Sequence, residues 1–581
     1  MRAKTNMLVL SKEQQAVVDA PISPLCIIAC AGSGKTTTAV RRLVKVREAL
    51  RDFRGRVALL SYSNVAVDTF QDSYDELMRP LALSRSRSLV EIDTLDGFFS
   101  RNLLAPHGHR VMKSARAAFL LHGGEGYLAG QTCGFGRDTR PITKAKVRYR
   151  NGTAEFYRTE NSNNFDLPPA TLGAIEKLGK SGGYTHDLGR YWCHRLLVER
   201  PELLRALARR YPQIIVDEAQ DIGSPHQMIL ELLIAAGTVV SLIGDPDQSI
   251  YAFADADGQY LRDYANRSGV TMLTITQNRR SIPKIVNAAS KLAGRDDAAI
   301  RTPLQDTHGV YLTAYKKGEE QKLIDSFKLE IASESLVADE SAVLTRGREL
   351  AESLAGKKEA LGVGLTQRLA HATLLRDRDH DYEGAFREVV AVFASLLEGA
   401  PEDLVAQLTA PSRHSQRLAL KRQLWNFTRN PNDGLPAATL PGSTDWHPKM
   451  FARIKAALKV IEQRDTLRST ANLGNRLAKT KLTDEPLLPK QDLAKDISSE
   501  LDLRVDTVHK AKGESLDAVL YVATNAHAKS LVAGTGTEDG RIGYVALTRA
   551  KNLMWVAVPS TNFDKLKADF ASKGIVEVGK K

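Results

Sequence analysis

Short apolar runs closed by glycine, proline or acidic residues punctuate both ends of the chain, and stretches with helical spacing fill the later middle. Residues 25–28 (LCII) and 214–216 (IIV) are continuous apolar runs, the pattern of strands buried on both faces of a parallel sheet. The first leads into ACAGSGKTT at 29–37 and then a helical run, giving strand, glycine loop, helix. Residues 341–355 read as a strand followed by a helix. Residues 383–398 and 415–427 carry amphipathic helical spacing. Pro431, Pro436 and Pro441, with neighbouring glycines, mark a loop. KVRYRNGTAEFYR at 146–158 alternates about Asn151–Gly152, which predicts a β-hairpin. Two readings fit its mix of arginines and aromatics: a DNA or partner contact, or a solvated hairpin with its aromatic face turned inward.

The glycine loop carries the first candidate chemistry. Ala31, Gly32, Ser33 and Gly34 offer backbone N–H groups that curl around phosphate at the positive end of the helix. Lys35 then reaches the β- and γ-phosphates of ATP, and Thr36 holds Mg²⁺. Ala29 stands where such loops usually begin with glycine. The run at 214–216 ends in Asp217, a Mg²⁺ ligand through water, and Glu218, a general base for the attacking water. This pairing predicts an enzyme that hydrolyses ATP.

Charge narrows the partner. The formal net charge is +13, which fits a phosphate backbone and a salt-sensitive affinity. Hydrophobic residues make up 43%, enough to build cores, and 581 residues allow three or four domains. The four cysteines form no CxxC pair, which predicts a reducing cytoplasmic setting without a structural metal. The N-terminal residues show no secretory leader pattern, and the longest apolar stretch, 389–397, is far too short to span a membrane.

The order of further motifs resembles superfamily 1 helicases of the UvrD/Rep/PcrA type, from residue 10 to about 557. LSKEQQAVV at 10–18 resembles that family's glutamine motif, with Gln14 reading adenine. LSYSNVAVDTF at 60–70 and DTLDGFF at 93–99 resemble DNA-contact motifs. SLIGDPDQSIYAF at 241–253, TQNRRS at 276–281, VDTVHKAKGESLDAVLYV at 505–522 and YVALTRAKNLMWV at 544–556 resemble motifs III to VI. The resemblance implies that Gln248 senses the γ-phosphate and that Arg280 and Arg549 are arginine fingers. It implies base or strand contacts for Tyr62, Asn64, Tyr251, Phe253, Thr507 and His509. Arg279 stands where relatives place a tyrosine over the adenine, Thr37 where they often have an arginine near the nucleotide, Asp96 where they usually have histidine, and Glu514 one position early for a ribose contact.

The implied fold is α/β: two RecA-like parallel-sheet P-loop NTPase domains, each with a mostly helical insertion. The expected boundaries are 1–104 and 201–280 for the first domain, with 105–200 inserted, and 281–354 and 500–581 for the second, with 355–499 inserted. The implied activity is an ATP-dependent 3′–5′ DNA helicase or translocase acting on single-stranded DNA and duplex junctions. An alternative is a DNA-sensing regulatory ATPase of a Gabija-type antiviral system, partnered by an OLD-family nuclease.

Overall fold

The computed structural model describes residues 9–78, 89–121, 128, 131–135, 138–160, 163–252, 255–355, 362, 364–401, 403–409, 417–464, 467–488 and 503–579. Two six-stranded parallel sheets organise it. The first contains β1 (Leu25–Ala29), β2 (Val57–Ser61), β3 (Val90–Thr94), β4 (Gln213–Val216), β5 (Val239–Gly244) and β6 (Thr271–Ile275), in the order β6-β1-β5-β4-β2-β3. The second contains β7 (Gly309–Tyr315), β8 (Ala342–Thr345), β9 (Arg504–Thr507), β10 (Leu516–Val522), β11 (Ala550–Pro559) and β12 (Val576–Glu577), in the order β9-β8-β10-β11-β7-β12.

Strands β2, β4, β8 and β10 are buried at every position, as their mainly apolar sequences require, with Gln213 and Asp517 among the few polar residues they bury. Helices cover both faces. Lys12–Asp19, capped by the Ser11 hydroxyl and a reciprocal bond from Gln14, and Lys35–Ala49 lie over one face of the first sheet. The other face joins a large core that includes Trp192, Cys193, Tyr184 and Leu188 from the segment between β3 and β4.

That segment differs from the expected helical insertion. Among the described residues it holds helices Ala105–Met112, Thr171–Lys180 and His186–Glu199, but also a three-stranded antiparallel sheet of Lys146–Arg150, Thr153–Glu160 and Asn163–Asp166. Asn151 and Gly152 both take positive φ (49° and 77°) in the tight turn, the geometry an Asn-Gly pair accepts most readily. Of the two readings of the hairpin, the packed one describes much of it. Tyr157 is buried with the Arg148 guanidinium 5.2 Å from its ring centroid, and Arg148 pairs with Glu155 and Asp166.

The segment between β8 and β9 is helical, with Gly364–Asp377, Tyr382–Leu396, Leu404–Thr409, Leu418–Arg429 and His447–Arg464 around Trp446. Among the described residues its core draws on none from either large sheet. Among the described residues no helix is long and apolar enough to cross a membrane.

Candidate functional site

The loop after β1 is held open by Gly32 (φ 69°) and Gly34 (φ 80°), both in the left-handed region. A Cβ on Gly32 would lie 2.6 Å from the Cβ of Arg280, because the chain after β6 is laid against the loop. Asn278 Nδ2 donates to the Ala31 carbonyl (2.7 Å), and the Arg279 N–H donates to the Gly32 carbonyl (2.9 Å). Gln14 is buried and donates to the Ser33 carbonyl (3.0 Å) and to Thr38 (3.2 Å), so its amide supports the loop. Lys35 is buried, and its ammonium donates to the Cys30 carbonyl (3.4 Å). Ser33 Oγ is buried without a hydrogen-bond partner among the described residues. Thr36 and Thr37 sit half-buried on the first helical turn. Cys30, inside the loop, is buried, and burial pushes its thiol up to about 12.

Asp217 and Glu218 follow β4. Burial and the adjacent Glu218 push the Asp217 carboxyl upward, and its Oδ1 is buried with no hydrogen-bond partner among the described residues. Glu218 has φ 51°, an uncommon left-handed conformation for a non-glycine residue. Burial opposes its charge, but Lys35, Lys512, Gln220 and Arg549 outweigh it and hold the carboxyl below its usual range. A polar chain continues outward: Gln220 donates to Glu218 and accepts from the Asp245 N–H (3.0 Å), and Gln248 donates to Asp245 Oδ2 (2.7 Å). Gly244 makes this possible, since a Cβ there would lie 2.5 Å from Gln220 Oε1.

Cations arrive from the chain around the second sheet. Arg549, at the end of helix Glu538–Arg549, is buried and donates to Gln248 Oε1 (2.8 Å). Arg280 donates to the Thr548 carbonyl (2.9 Å) and so runs beside Arg549; burial and that neighbour lower it to about 9. Arg279 reaches the Val9 carbonyl (3.1 Å). The Glu514 carboxylate pairs with Arg504 (2.6 Å), and its carbonyl accepts from Arg549 (3.4 Å).

Three further residues take part that the sequence did not single out. Lys512 bonds Asp221 (2.5 and 2.7 Å) and the Gln248 carbonyl (2.9 Å). Arg295 pairs with Asp245 (2.7 Å) and Asp247 (3.1 Å) and donates to the Tyr544 hydroxyl (2.6 Å). Asp221 closes the DEAQD run and Lys512 lies within the AKGES run, so the only signal was an unused charge inside each motif.

Aromatic residues gather beside this site. Tyr62, just after β2, stacks on Tyr251 with centroids 5.4 Å apart, and His509 lies 5.9 Å from Tyr251. The Lys512 ammonium stands 4.6 Å from the Tyr251 centroid. His509 Nε2 is 3.0 Å from the Ile250 carbonyl. Asn64 opens helix Asn64–Met78 and is exposed, and Thr507 ends β9 half-buried. Phe253 lies outside the described residues. Asp96 is clasped by Arg190 (2.7 and 2.9 Å), from the first insertion, and by the buried His226 (2.8 Å). Burial opposes its charge, but Arg190 and His226 hold its carboxyl far below the ordinary range.

The geometry brings together a glycine loop, a carboxylate pair, a glutamine, the buried Arg549 from a helix packed on the second sheet and, beside it, the half-buried Arg280 from the chain that follows β6. Residues 10–125 and 175–268 match the family described as UvrD/REP helicase N-terminal domain. The unmatched interval contains the three-stranded antiparallel sheet. The chain is 24% identical over 431 residues to the putative ATP-dependent DNA helicase YjcD of Bacillus subtilis, covering 64% of this chain and 55% of that protein. It is 24% identical over 400 residues to ATP-dependent DNA helicase UvrD1 of Mycobacterium leprae, covering 59% and 47%. It is 24% identical over 300 residues to DNA helicase II of Escherichia coli, covering 49% and 40%. The chain thus spans about half the length of these curated relatives.

Proposed function

We propose that the chain is an ATP-dependent motor that moves 3′→5′ on single-stranded DNA and separates duplex junctions. The contact that carries this reading is Arg549 to Gln248 at 2.8 Å, in which a residue of the second-sheet region meets the hydrolytic end of the first. In this reading the glycine loop and Lys35 bind the phosphates of ATP. Glu218, held charged by Lys35 and its other cationic neighbours, orients and deprotonates the attacking water. Arg549 and Arg280 stabilise charge spread over the transferring phosphoryl oxygens.

Thr36 and Asp217 would hold Mg²⁺, which fits the buried, unpartnered Asp217 Oδ1. When bound, the ion supplies charge neutralisation between the β- and γ-phosphates. The stack of Tyr62 on Tyr251 offers faces that accept any base. Lys512 touches both that stack and Asp221, so closure at the phosphates reaches the strand-holding surface through one side chain.

Glu218→Gln is expected to retain ATP binding while turnover falls by roughly 10²–10⁴-fold. Arg549→Ala is expected to slow hydrolysis by about 10³-fold or more, again with binding retained. Both are measured by single-turnover hydrolysis beside nucleotide titration. Strand displacement on duplexes bearing 3′ or 5′ tails then decides the reading. DNA-stimulated hydrolysis without displacement of either substrate would favour the regulatory ATPase and its nuclease partner.

A further inference from the structure

The ATP and aromatic sites lie at the C-terminal ends of the first-sheet strands. A cavity of about 550 Å³ opens at the other end, against edge strand β3. Strands of four or five residues at about 3.3 Å per residue separate the two ends by roughly 15 Å. Arg56, Arg101, Arg210 and His107 line the cavity with the amide side chains of Gln71 and Asn102.

Its only lining carboxylate among the described residues, Glu91, is already engaged. Glu91 accepts from the Tyr211 hydroxyl, from Asn102 (3.1 Å) and from Arg56 (3.4 Å). Arg101 pairs with Asp93 (2.8 Å) but remains largely exposed. Arg210 is exposed beside the Tyr211 ring (5.6 Å) and forms no ion pair among the described residues. His107 Nδ1 is buried without a hydrogen-bond partner among the described residues. The Arg56 N–H donates to the Arg210 carbonyl (2.6 Å), so the two loops that carry these cations are tied together.

We infer that this cavity seats backbone phosphates of a second nucleic-acid segment, outside the motor cleft. A lone small anion would use only part of it. Arg54, two residues before Arg56, and Arg209, next to Arg210, are exposed outside the lining, so a linear polyanion can meet cations beyond the cavity as well as within it. The choice of nucleic acid rests on the proposed function; the cavity and its excess positive charge do not. A strand that leaves the motor cleft can then be held at the base of the same lobe.

The test compares wild type with Arg56→Gln/Arg101→Gln/Arg210→Gln and with Arg210→Glu alone, which breaks no ion pair among the described residues. Binding of a labelled 40-nucleotide single strand is measured across salt, and ATPase stimulation with a 10-nucleotide strand. Each lost phosphate contact lowers the log–log salt slope by about 0.7. The triple variant is expected to lose about 2 units of slope and roughly tenfold in affinity for the long strand, and Arg210→Glu about a third as much slope. Stimulation by the short strand should be unchanged. Identical slopes in folded variants and wild type would overturn the inference. So would an equal loss on both lengths, which assigns the arginines to the motor cleft. Pyrophosphate that raises the wild-type Tm, but not that of Arg210→Glu, with unchanged DNA slopes would make this a small-anion site instead. Wild-type ATPase indifferent to DNA would sink the motor reading, while a slope difference between wild type and variants would leave this site standing.

Discussion

The two inserted segments are built on opposite plans. Among the described residues, the one between β3 and β4 shares a core with the first sheet: Trp192, Cys193 and Leu196 belong to the same apolar cluster as Leu60, Ile214 and Leu242. The one between β8 and β9 packs Trp446, Phe393 and Ile454 into a cluster of its own. Burying a common core makes a segment part of the lobe it interrupts. A separate core lets a segment keep its fold while its attachment changes, which suits a part that swivels. Polar contacts repeat the contrast, since Arg190 of the first insertion clasps Asp96 beside the aromatic stack.

The largest expected break in this comparison comes from a matched pair of truncations. Trp192→Ala and Trp446→Ala each remove a fully buried indole, at about 3–5 kcal/mol apiece. Trp192→Ala is expected to lower the melting of the first lobe and nucleotide binding together. Trp446→Ala is expected to melt one region early while DNA-independent ATPase persists. Calorimetry with nucleotide titration reads both, and a joint loss in the second variant would refute the independent core.

Arg190→Gln is a smaller perturbation at the seam. It leaves Asp96 with His226 and the more distant His186 (3.8 Å) and is expected to cost about 2–3 kcal/mol, reduced from the fully buried case because Asp96 is partly exposed. The sign with pH follows from Asp96 being depressed in the fold. Its contribution is present above the ordinary aspartate value near 4 and is lost as pH falls below it. Urea unfolding should therefore show wild type and Arg190→Gln converging toward acid. Gly152→Ala is the smallest, about 1 kcal/mol from forcing a side chain to φ 77° in an open turn, with hydrolysis unchanged.

What could be read from the sequence was mostly local. The strand, glycine loop and helix around Lys35 are contiguous, and so is the Asn151–Gly152 turn. The hairpin of the first insertion was legible, but the third strand of its sheet escaped because Asn163–Asp166 is short and polar, exposed at every position, and carries no apolar alternation. Lys512 with Asp221 escaped for another reason. The partners lie 291 positions apart, and only tertiary packing turns an ordinary lysine and a motif-end aspartate into an interlobe bond. Glu514 shows the converse, since its carboxylate, read as a ribose contact, pairs with Arg504 on an edge strand.

Cys30 places sulfur inside the glycine loop, yet burial pushes its thiol up to about 12, so little of it is thiolate near neutral pH. Electrophiles and peroxides that attack by way of the anion find almost none there. That buried sulfur is therefore chemically quiet, and oxidative conditions that disable exposed thiols elsewhere should leave the glycine loop unmodified.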